Sequence, residues 1–301
     1  MSKRALGVSI YPSFTVSKIR DYITLTKPRL LSSVLFSTGL GFVLPLDSVI
    51  TVLPLLYLLL GTALTGAGAH VLNQWMEQVP DSKMNRTKSR PIPMGRISEN
   101  EALVFGIIIS IAGITTLWLT LNLLTATLGL LTLFSYILVY TPLKTRTIAN
   151  TWFGGITGAL PPVMGWTAAR GQLDWEVLPI FALLYFWQLP HFFAIAWMYR
   201  DDYKKGGFRM LSLDDQTGRR TAVQMLYNTG FLFIASLTIY IIGQASLLYL
   251  TGAILLGLGF FAVITLFFRE SSVENARKVF LASIIYLPIL STILVLERFL
   301  Y

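Results

Sequence analysis

The sequence predicts an all-α integral membrane protein with nine transmembrane helices. Hydrophobic residues make up 54% of the 301 residues, charged residues make up only 13%, and the apolar residues form long runs. Soluble domains carry about 25% charged residues, so this chain has far too little charge for a soluble protein. The mean hydropathy of +0.64 agrees with a membrane class.

A transmembrane helix needs about 20 mostly apolar residues, and the chain offers nine such runs. Glycine and proline occur inside several of them, as in GGITGALPPVMGW at 154–166. Membrane helices tolerate these residues where neighbouring helices satisfy the freed backbone groups. The predicted spans are 30–46, 50–72, 102–120, 122–140, 149–168, 177–198, 222–243, 246–268 and 278–298.

The basic residues orient these spans. If the N-terminus is cytoplasmic, the cytoplasmic segments hold 22 of the 24 lysines and arginines, and only Arg170 and Arg298 fall on the other side. The positive-inside rule predicts this bias, so we expect the N-terminus in the cytoplasm and the C-terminus outside. Because the cations lie between apolar spans, the net charge of +9 indicates a membrane surface and not nucleic acid.

Residues 1–29 are predicted to form a basic N-terminal tail, interfacial or flexible, ahead of a single domain at 30–301. The tail has no long apolar core, so it is not a cleavable signal peptide. Long cytoplasmic loops at 73–101 and 199–221 alternate with shorter ones, which indicates two related four-helix units plus a ninth helix. The chain has no cysteine, which excludes disulfides, cysteine-based zinc sites and thiol catalysis.

The first candidate site lies at the cytoplasmic end of the second span. Asn73, Glu77 and Asp81 are four residues apart, which places them on one face of a helix. Pro80 is expected to bend or end that helix, so Asp81 is expected near a turn. Amide and carboxylate oxygens are ligands for Mg²⁺, which binds through one or two carboxylates together with substrate phosphate.

Four lysines and arginines follow within the next ten residues. Arg86 and Arg90 are candidates to hold the oxygens of a phosphate group directly. The alternative is an ordinary charged loop in which Glu77 and Asp81 pair with Lys83 and Arg86.

A second cluster with the same chemistry follows the sixth span. Asp201 and Asp202 stand beside Lys204 and Lys205 in the segment YRDDYKKGGFRML at 199–211. Two facing carboxylate clusters are suited to hold two Mg²⁺ ions around one diphosphate, whose charge grows as it leaves. The alternative is again a solvated charged loop, which is how we interpret Asp214 and Asp215 further along.

The segment YTPLKTR at 140–146 ends the fourth span and adds two candidates. Lys144 is a third predicted diphosphate contact, unless it is an ordinary membrane anchor. Tyr140 is a further predicted substrate contact. The two histidines, His70 and His191, each lie in an apolar span near one of the acidic clusters. Each is a hydrogen-bonded core residue, a proton acceptor, a contact to the acceptor substrate or a haem ligand.

These motifs resemble the intramembrane prenyltransferase superfamily, which includes the 4-hydroxybenzoate polyprenyltransferases. The similarity runs through almost the whole chain from about residue 22, and it is greatest to the branch that farnesylates protohaem IX. The segments that carry it are NQWMEQVPDSKMNRTKSRPIPMGRIS at 73–98, TKPRLL at 26–31, YTPLKTRT at 140–147, GALPPVMGW at 158–166 and QLPHFFAIAWMYRDDYKKGGFRML at 188–211.

The resemblance implies a nine-helix bundle around a central cavity that opens toward the cytoplasm. It implies Mg²⁺ as cofactor, farnesyl diphosphate as donor and a vinyl group of haem B as acceptor, with haem O as product for terminal oxidases. Membrane lipid and haem-modifying or oxidase-assembly proteins are the expected further partners. Two departures from the wider superfamily leave the number of metal ions open: Glu77 replaces the usual Asp, and Met198 stands four residues before Asp202.

The resulting hypothesis assigns metal binding to Asn73, Glu77, Asp81, Asp201 and Asp202, with the neighbouring cations on the diphosphate. Ionisation of the donor gives an allylic cation, which the haem vinyl group attacks before water adds. No side-chain nucleophile is needed.

Three other functions stay open from the sequence. One is prenyl transfer to an aromatic quinone precursor. The second is transport, although the charges cluster at one face instead of the midplane. The third is a haem-binding assembly factor, which would not depend on Mg²⁺. The short basic N-terminus favours a bacterial plasma membrane as the location.

Overall fold

The computed structural model describes residues 13–46 and 52–300, and within these ranges it contains helices and no strands. Residues 1–12, 47–51 and 301 lie outside the described part, and with them the start of the predicted tail and the first residues of the second predicted span. The α-helices are α1 (Ser13–Leu25), α2 (Pro28–Val43), α3 (Val52–Met76), α4 (Gln78–Lys83), α5 (Glu99–Thr120), α6 (Leu123–Phe134), α7 (Thr141–Arg146), α8 (Asn150–Arg170), α9 (Leu178–Met198), α10 (Arg200–Gly206), α11 (Leu211–Asp214), α12 (Arg219–Ile241), α13 (Leu247–Arg269) and α14 (Val273–Leu300).

Each predicted span coincides with a helical segment in the described part of the chain. Seven segments are long and apolar enough to cross a membrane: Val52–Met76, Glu99–Thr120, Leu123–Arg146, Trp175–Met198, Arg219–Ile241, Leu247–Arg269 and Val273–Arg298. The other two are α2, a shorter apolar helix of 16 residues, and α8, whose 21 residues include two prolines and are mostly buried. The count of nine membrane crossings therefore stays a prediction.

The helices form two groups. The two groups meet where α8 of the first packs against α9 of the second. In the first group α2 packs against α3 and α8, and α3 packs against α5. In the second group α12 packs against α9 and α13, while α14 packs against α13 and α9. The largest hydrophobic cluster includes Phe193, Tyr249 and Phe260 of this second group and continues through α8 to α2. The predicted internal repeat stays a prediction.

One end of the bundle brings together the segments that carry the predicted site. The Asp202 side chain, on α10 just after α9, accepts a hydrogen bond from the backbone N–H of Asn85, which follows α4. The backbone N–H of Arg209 donates to the carbonyl oxygen of Lys144 at 2.6 Å. The polar segments after α3, α7 and α9 therefore meet at the same end of the bundle, as the predicted topology requires.

The opposite end joins the alternate set of connections. Asn122, between α5 and α6, donates to the carbonyl of Thr167 near the end of α8 at 3.0 Å. Gln244, between α12 and α13, donates to the carbonyl of Glu176 ahead of α9 at 3.1 Å. Successive long helices thus run in alternating directions. Which end faces the cytoplasm stays a prediction.

The predicted tail contains an ordered helix in its described part. The Nε–H of Arg96 is shared between Oδ1 and Oδ2 of Asp21 on α1, at 3.0 and 3.1 Å, and Leu25 at the end of α1 is fully buried. A buried apolar residue and a charge-assisted hydrogen bond tie α1 to the segment that follows α4.

Cavities in the described part of the protein include two that lie away from the predicted site. One of about 240 Å³ is lined by Met198, Tyr199 and Arg277 with neighbouring apolar residues. The other, about 520 Å³, lies between α1 and α5. Neither is lined by a predicted site residue, so the central cavity stays a prediction.

Helices α2 and α8 approach each other closely because both present glycine at the contact. A methyl group on Gly41 would lie 1.9 Å from the carbonyl oxygen of Pro162, and one on Gly165 would lie 2.1 Å from the carbonyl oxygen of Thr38. In lipid the hydrophobic effect does not favour contact between helices. Membrane helices therefore associate mainly through van der Waals packing, and small residues allow the close approach that this packing needs.

Replacing Gly41 by alanine should therefore separate α2 from α8 and lower the melting temperature of the detergent-solubilised protein. Overpacking of this kind costs about 1–3 kcal/mol. Gly39→Ala on the same helix is the matched control, because no atom lies within 4 Å of its added methyl group. It should keep or raise the melting temperature, since alanine favours a helix by about 0.5–1 kcal/mol over glycine. Equal melting temperatures for the two variants would contradict the packing argument.

Candidate functional site

The three polar residues of the first motif lie on one continuous helical face. The backbone N–H of Glu77 donates to the carbonyl of Asn73 at 2.9 Å, and that of Asp81 donates to the carbonyl of Glu77 at 2.8 Å. Pro80 has no N–H to donate, and the helix is interrupted at Glu77 before α4 resumes it. Asp81 lies inside α4 and not on a turn, because the helical bond to Glu77 persists across the interruption.

These carboxylates are buried and paired with cations. Asp81 is fully buried, and its Oδ2 lies 2.5 Å from Nη1 of Arg90. Oε1 of Glu77 lies 2.8 Å from Nζ of Lys144. Thr87 donates to the carbonyl of Asp81 at 2.9 Å, which folds the segment after α4 back and brings Arg90 to its partner. Two opposite charges at such distances in a poorly solvated site interact strongly.

The pairing that the sequence left as an alternative is not the one found. Lys83 and Arg86 are both exposed, and the partners of Glu77 and Asp81 come from further along the chain. Sequence spacing could not identify Lys144 as a partner of Glu77, since the two residues meet only through the packing of the helices.

A π-helix at Ser135–Tyr140, between α6 and α7, positions Lys144. The backbone N–H of Thr141 bonds to the carbonyl of Tyr136, five residues back, and Oγ1 of Thr141 accepts a hydrogen bond from Asn73 Nδ2 at 3.1 Å. The Tyr140 ring lies 4.5 Å from Nζ of Lys144. Such π-helical turns often occur at functional sites. Sequence reasoning missed both this turn and Thr141.

Lys27 is a further residue that sequence reasoning missed. It lies between α1 and α2, it is half-buried, and its Nζ donates to Oδ1 of Asn73 at 3.0 Å. Burial of the ammonium group, with the positive charges of Arg90 and Lys144 nearby, lowers the pKa of Lys27 to about 7. Three basic side chains, those of Lys27, Arg90 and Lys144, thus lie at a site with two carboxylates, Glu77 and Asp81. The only signal in the sequence is that Lys27 belongs to the motif TKPRLL.

The buried side chains fit a divalent cation of the magnesium type. Oδ1 of Asp81 is enclosed by protein and has no hydrogen-bond partner in the described residues, so an acceptor remains for a cation. Glu77 and the amide oxygen of Asn73 lie one and two turns back on the same face. No group of three or more acidic or histidine side chains gathers among the described residues. Mg²⁺ needs none, because it takes its other ligands from water and phosphate.

The second motif meets the first through Asp202. Its Oδ1 and Oδ2 accept hydrogen bonds from the backbone N–H groups of Asn85 and Arg86, at 3.2 and 3.1 Å. The Arg86 guanidinium lies over the rings of Tyr199 and Tyr203, 5.0 and 5.6 Å from their centres. The expectation that the two motifs face each other agrees with this contact. Metal binding by Asp202 stays a prediction. Asp201, Lys204 and Lys205 are exposed on the same helix, and their roles also stay predictions.

The hydrogen bonds of the two histidines define their neutral tautomers. Nδ1 of His70 lies 2.9 Å from the carbonyl oxygen of Thr26, which only accepts, so Nδ1 carries the proton. Nδ1 of His191 lies 2.8 Å from Oγ of Ser283, whose own proton goes to the carbonyl of Phe280 at 2.6 Å. Each histidine therefore has its lone pair on Nε2. Core roles and substrate contacts both agree with this geometry, so the predicted substrate contacts stay predictions.

The interpretation of Asp215 as a solvated residue is wrong. Asp215 is buried, and its Oδ2 accepts hydrogen bonds from the backbone and the hydroxyl of Thr221, both at 2.8 Å. Its Oδ1 accepts from the N–H of Gly218 at 3.1 Å. The carboxylate therefore satisfies donors at the start of α12, where a negative charge also complements the helix dipole. Asp214 is exposed, as expected.

Together the fold and the site define an integral membrane protein whose helix ends hold buried, ion-paired carboxylates ready for a charged ligand. The pattern of the UbiA prenyltransferase family matches residues 34–285, and the chain belongs to that family. A protoheme IX farnesyltransferase of Solibacter usitatus is 43% identical over 289 residues, which cover 93% of this chain and 99% of the relative.

Solved structures share the same fold. A structure of digeranylgeranylglyceryl phosphate synthase superposes with a TM-score of 0.79 at 18% identity, covering 95% of this chain and all of that chain. A UbiA homologue from Archaeoglobus fulgidus bound to GPP and Mg²⁺ superposes with a TM-score of 0.69 at 14% identity, covering 93% of this chain and 98% of that chain. At these identities the likeness concerns the fold.

The contacts of Asp202 lead to a test of local stability. Asp202→Ala should release the N–H groups of Asn85 and Arg86 and speed the exchange of their amide hydrogens about tenfold or more, since hydrogen bonds to a charged group contribute about 1.5–3 kcal/mol. Hydrogen–deuterium exchange of a peptide that covers residues 84–90 measures the effect. Asp201→Ala is the matched control, because this neighbouring side chain is exposed. Equal rates of amide exchange in the two variants would contradict the role of Asp202 in holding this backbone segment.

Proposed function

We propose that this protein transfers a farnesyl group from farnesyl diphosphate to a vinyl group of haem B. Water adds in the same reaction, and the products are haem O and diphosphate. The name of the Solibacter relative and its 43% identity support this activity. The proposal includes the cytoplasmic side of a bacterial plasma membrane as the location and residues 30–301 as one domain. Haem-modifying and oxidase-assembly proteins are proposed as further partners.

The observation that carries the proposal is the unbalanced set of charges in the buried site. Lys27, Arg90 and Lys144 surround two carboxylates, Glu77 and Asp81. A surplus of cations in a poorly solvated site favours binding of a multiply charged anion. Diphosphate carries several negative charges and many acceptor oxygens, and it is the group that a prenyl donor releases.

The donor end of the reaction depends on these side chains. Asp81, Glu77 and Asn73 would hold Mg²⁺, with Asp201 and Asp202 as further proposed ligands. When bound, the ion supplies positive charge that stabilises the leaving diphosphate. Arg90 and Lys144 bind phosphate oxygens, and the exposed Arg86, Lys204 and Lys205 add positive charge above them. The segments 73–101 and 199–221 cap this end and limit the access of water.

The bond changes then balance without a nucleophilic side chain. The C1–O bond of the donor breaks, and the electron pair leaves with diphosphate. The terminal vinyl carbon of haem B forms a bond to C1 of the farnesyl cation. A water molecule adds to the carbocation left on the other vinyl carbon and loses a proton, which gives a hydroxyethylfarnesyl group. Tyr140 offers a π-face near the site, and His70 and His191 are the proposed contacts to the acceptor.

The proposed activity predicts that Asp81→Ala abolishes product formation. Membranes that contain the variant are incubated with haem B, Mg²⁺ and prenyl diphosphates of several lengths, and the product masses are read. Loss of leaving-group stabilisation worth several kcal/mol lowers the rate by orders of magnitude. Asp214→Ala, an exposed aspartate outside the site, is the control and should keep the wild-type rate.

The product masses separate the alternatives. A mass equal to haem B plus a farnesyl group and a hydroxyl group is expected with farnesyl diphosphate. A prenylated quinone precursor in its place, or no covalent product from the wild-type protein, would overturn the proposed reaction. Near wild-type product from Asp81→Ala would contradict its role in metal binding.

Metal removal provides a second test that does not depend on turnover. Mg²⁺ together with inorganic diphosphate should raise the melting temperature of the purified protein, and a chelator should reverse the rise. Ligand at 100 times its dissociation constant stabilises a folded protein by about 2.7 kcal/mol. Asp81→Asn removes a ligand charge and should reduce this stabilisation, whereas Asp214→Asn should keep it. An unchanged response of Asp81→Asn would argue against a metal at this carboxylate.

A further inference from the structure

The corner between α1 and α2, residues 25–27, is bonded to side chains that lie within about one and a half turns of α3. Three consecutive residues of the corner each bond to a different side chain there. Nε2 of Gln74 donates to the carbonyl of Leu25 at 2.7 Å, and Nδ1 of His70 donates to the carbonyl of Thr26 at 2.9 Å. The third residue is Lys27, whose side chain reaches Asn73. These bonds fix the corner against the helix that carries the site.

Lys27 adopts a backbone conformation that suits glycine better than lysine. Its φ of 51° and ψ of 61° are left-handed, and it is the one residue other than glycine with a positive φ in residues 13–46 and 52–300. A side chain with a Cβ is strained there, and glycine is not. Strained residues of this kind persist where surrounding structure holds them, and they concentrate at functional sites. The backbone therefore gives no reason for lysine at this position, so the reason lies in the side chain.

The side chain of Lys27 points into the proposed diphosphate site. Its Nζ bonds to Oδ1 of Asn73, whose Nδ2 is bound in turn to Thr141, so both ends of the Asn73 amide are engaged. A carbonyl oxygen has two lone pairs, so Oδ1 keeps one acceptor position beside the ammonium group. Lys27 adds a third basic side chain to those of Arg90 and Lys144, and it comes from the corner between α1 and α2.

We propose that Lys27 is a diphosphate-binding residue, carried to the site by the strained corner, and that it orients Asn73 for the same ligand. This inference rests on the proposed function. His70 and Gln74 are positioning residues in this arrangement, because they hold the backbone on which Lys27 stands. The ammonium group donates hydrogen bonds to a phosphate oxygen and to Asn73, since it has three protons to offer.

Equilibrium binding of farnesyl diphosphate in the presence of Mg²⁺ tests the proposal on the purified, detergent-solubilised full chain. Lys27→Gln and Lys27→Gly should both weaken binding about tenfold to a hundredfold, as expected for loss of a charge-assisted contact. Lys27→Arg should restore most of the affinity. Lys278→Gln is the control for loss of one exposed positive charge, because Lys278 pairs with Glu274 at 2.9 Å on α14.

Melting temperatures of the same variants separate binding from folding. Lys27→Gly relieves the strained backbone, so it should melt at or above the wild-type temperature while still binding the donor poorly. A Lys27→Gly variant that melts well below wild type would show a structural role and overturn the proposal. Wild-type affinity in both Lys27→Gln and Lys27→Gly would also overturn it. Failure of the wild-type protein to bind farnesyl diphosphate would instead overturn the proposed function, and this inference with it.

Discussion

Pairing of buried carboxylates with cations is the constraint on which the site depends. Glu77 and Asp81 stand on one helical face, and neither is stable in a poorly solvated place without a positive partner. Removing one member of such a pair costs about 3–5 kcal/mol, since the other charge is left uncompensated. Lys144 and Arg90 come from different segments, so satisfying the two carboxylates forces the end of α7 and the turn after α4 onto the end of α3.

The hydrogen bonds that Asp202 accepts connect the other half of the bundle to the same site. Its two hydrogen bonds to backbone N–H groups tie α10 to the segment after α4. All of these contacts lie at helix ends and not midway along the long helices, which avoids the large cost of a charge at a bilayer centre. The apolar parts of the helices carry no such charges and associate by close packing, which small residues such as Gly41 and Gly165 permit.

The sequence predicts the helices well because apolar runs and basic loops report directly on the membrane. It also identifies Asn73, Glu77 and Asp81, since spacing along a helix is a local property. It does not give the partner of Glu77, which depends on packing between distant segments. Lys27 was missed because a lysine before proline carries no sign of a left-handed corner. Asp215 was misread because a carboxylate that caps a helix looks, in sequence, like any charged loop residue.

The π-helix at Ser135–Tyr140 makes the length of this membrane segment a functional quantity. A π-turn contains one more residue than an α-turn, so losing a single residue there would restore a regular α-helix and leave Thr141 and Lys144 in nearly the same angular position. Loss of one residue from the regular turns of α6 would instead rotate Thr141 and Lys144 away from Asn73 and Glu77 by about 100°, since each residue of an α-helix turns by about that angle. In that case the hydrophobic length would change by only about 1.5 Å and would still span a bilayer. Insertion into the membrane would survive either deletion, whereas the alignment of the charged site would survive only the deletion within the π-turn.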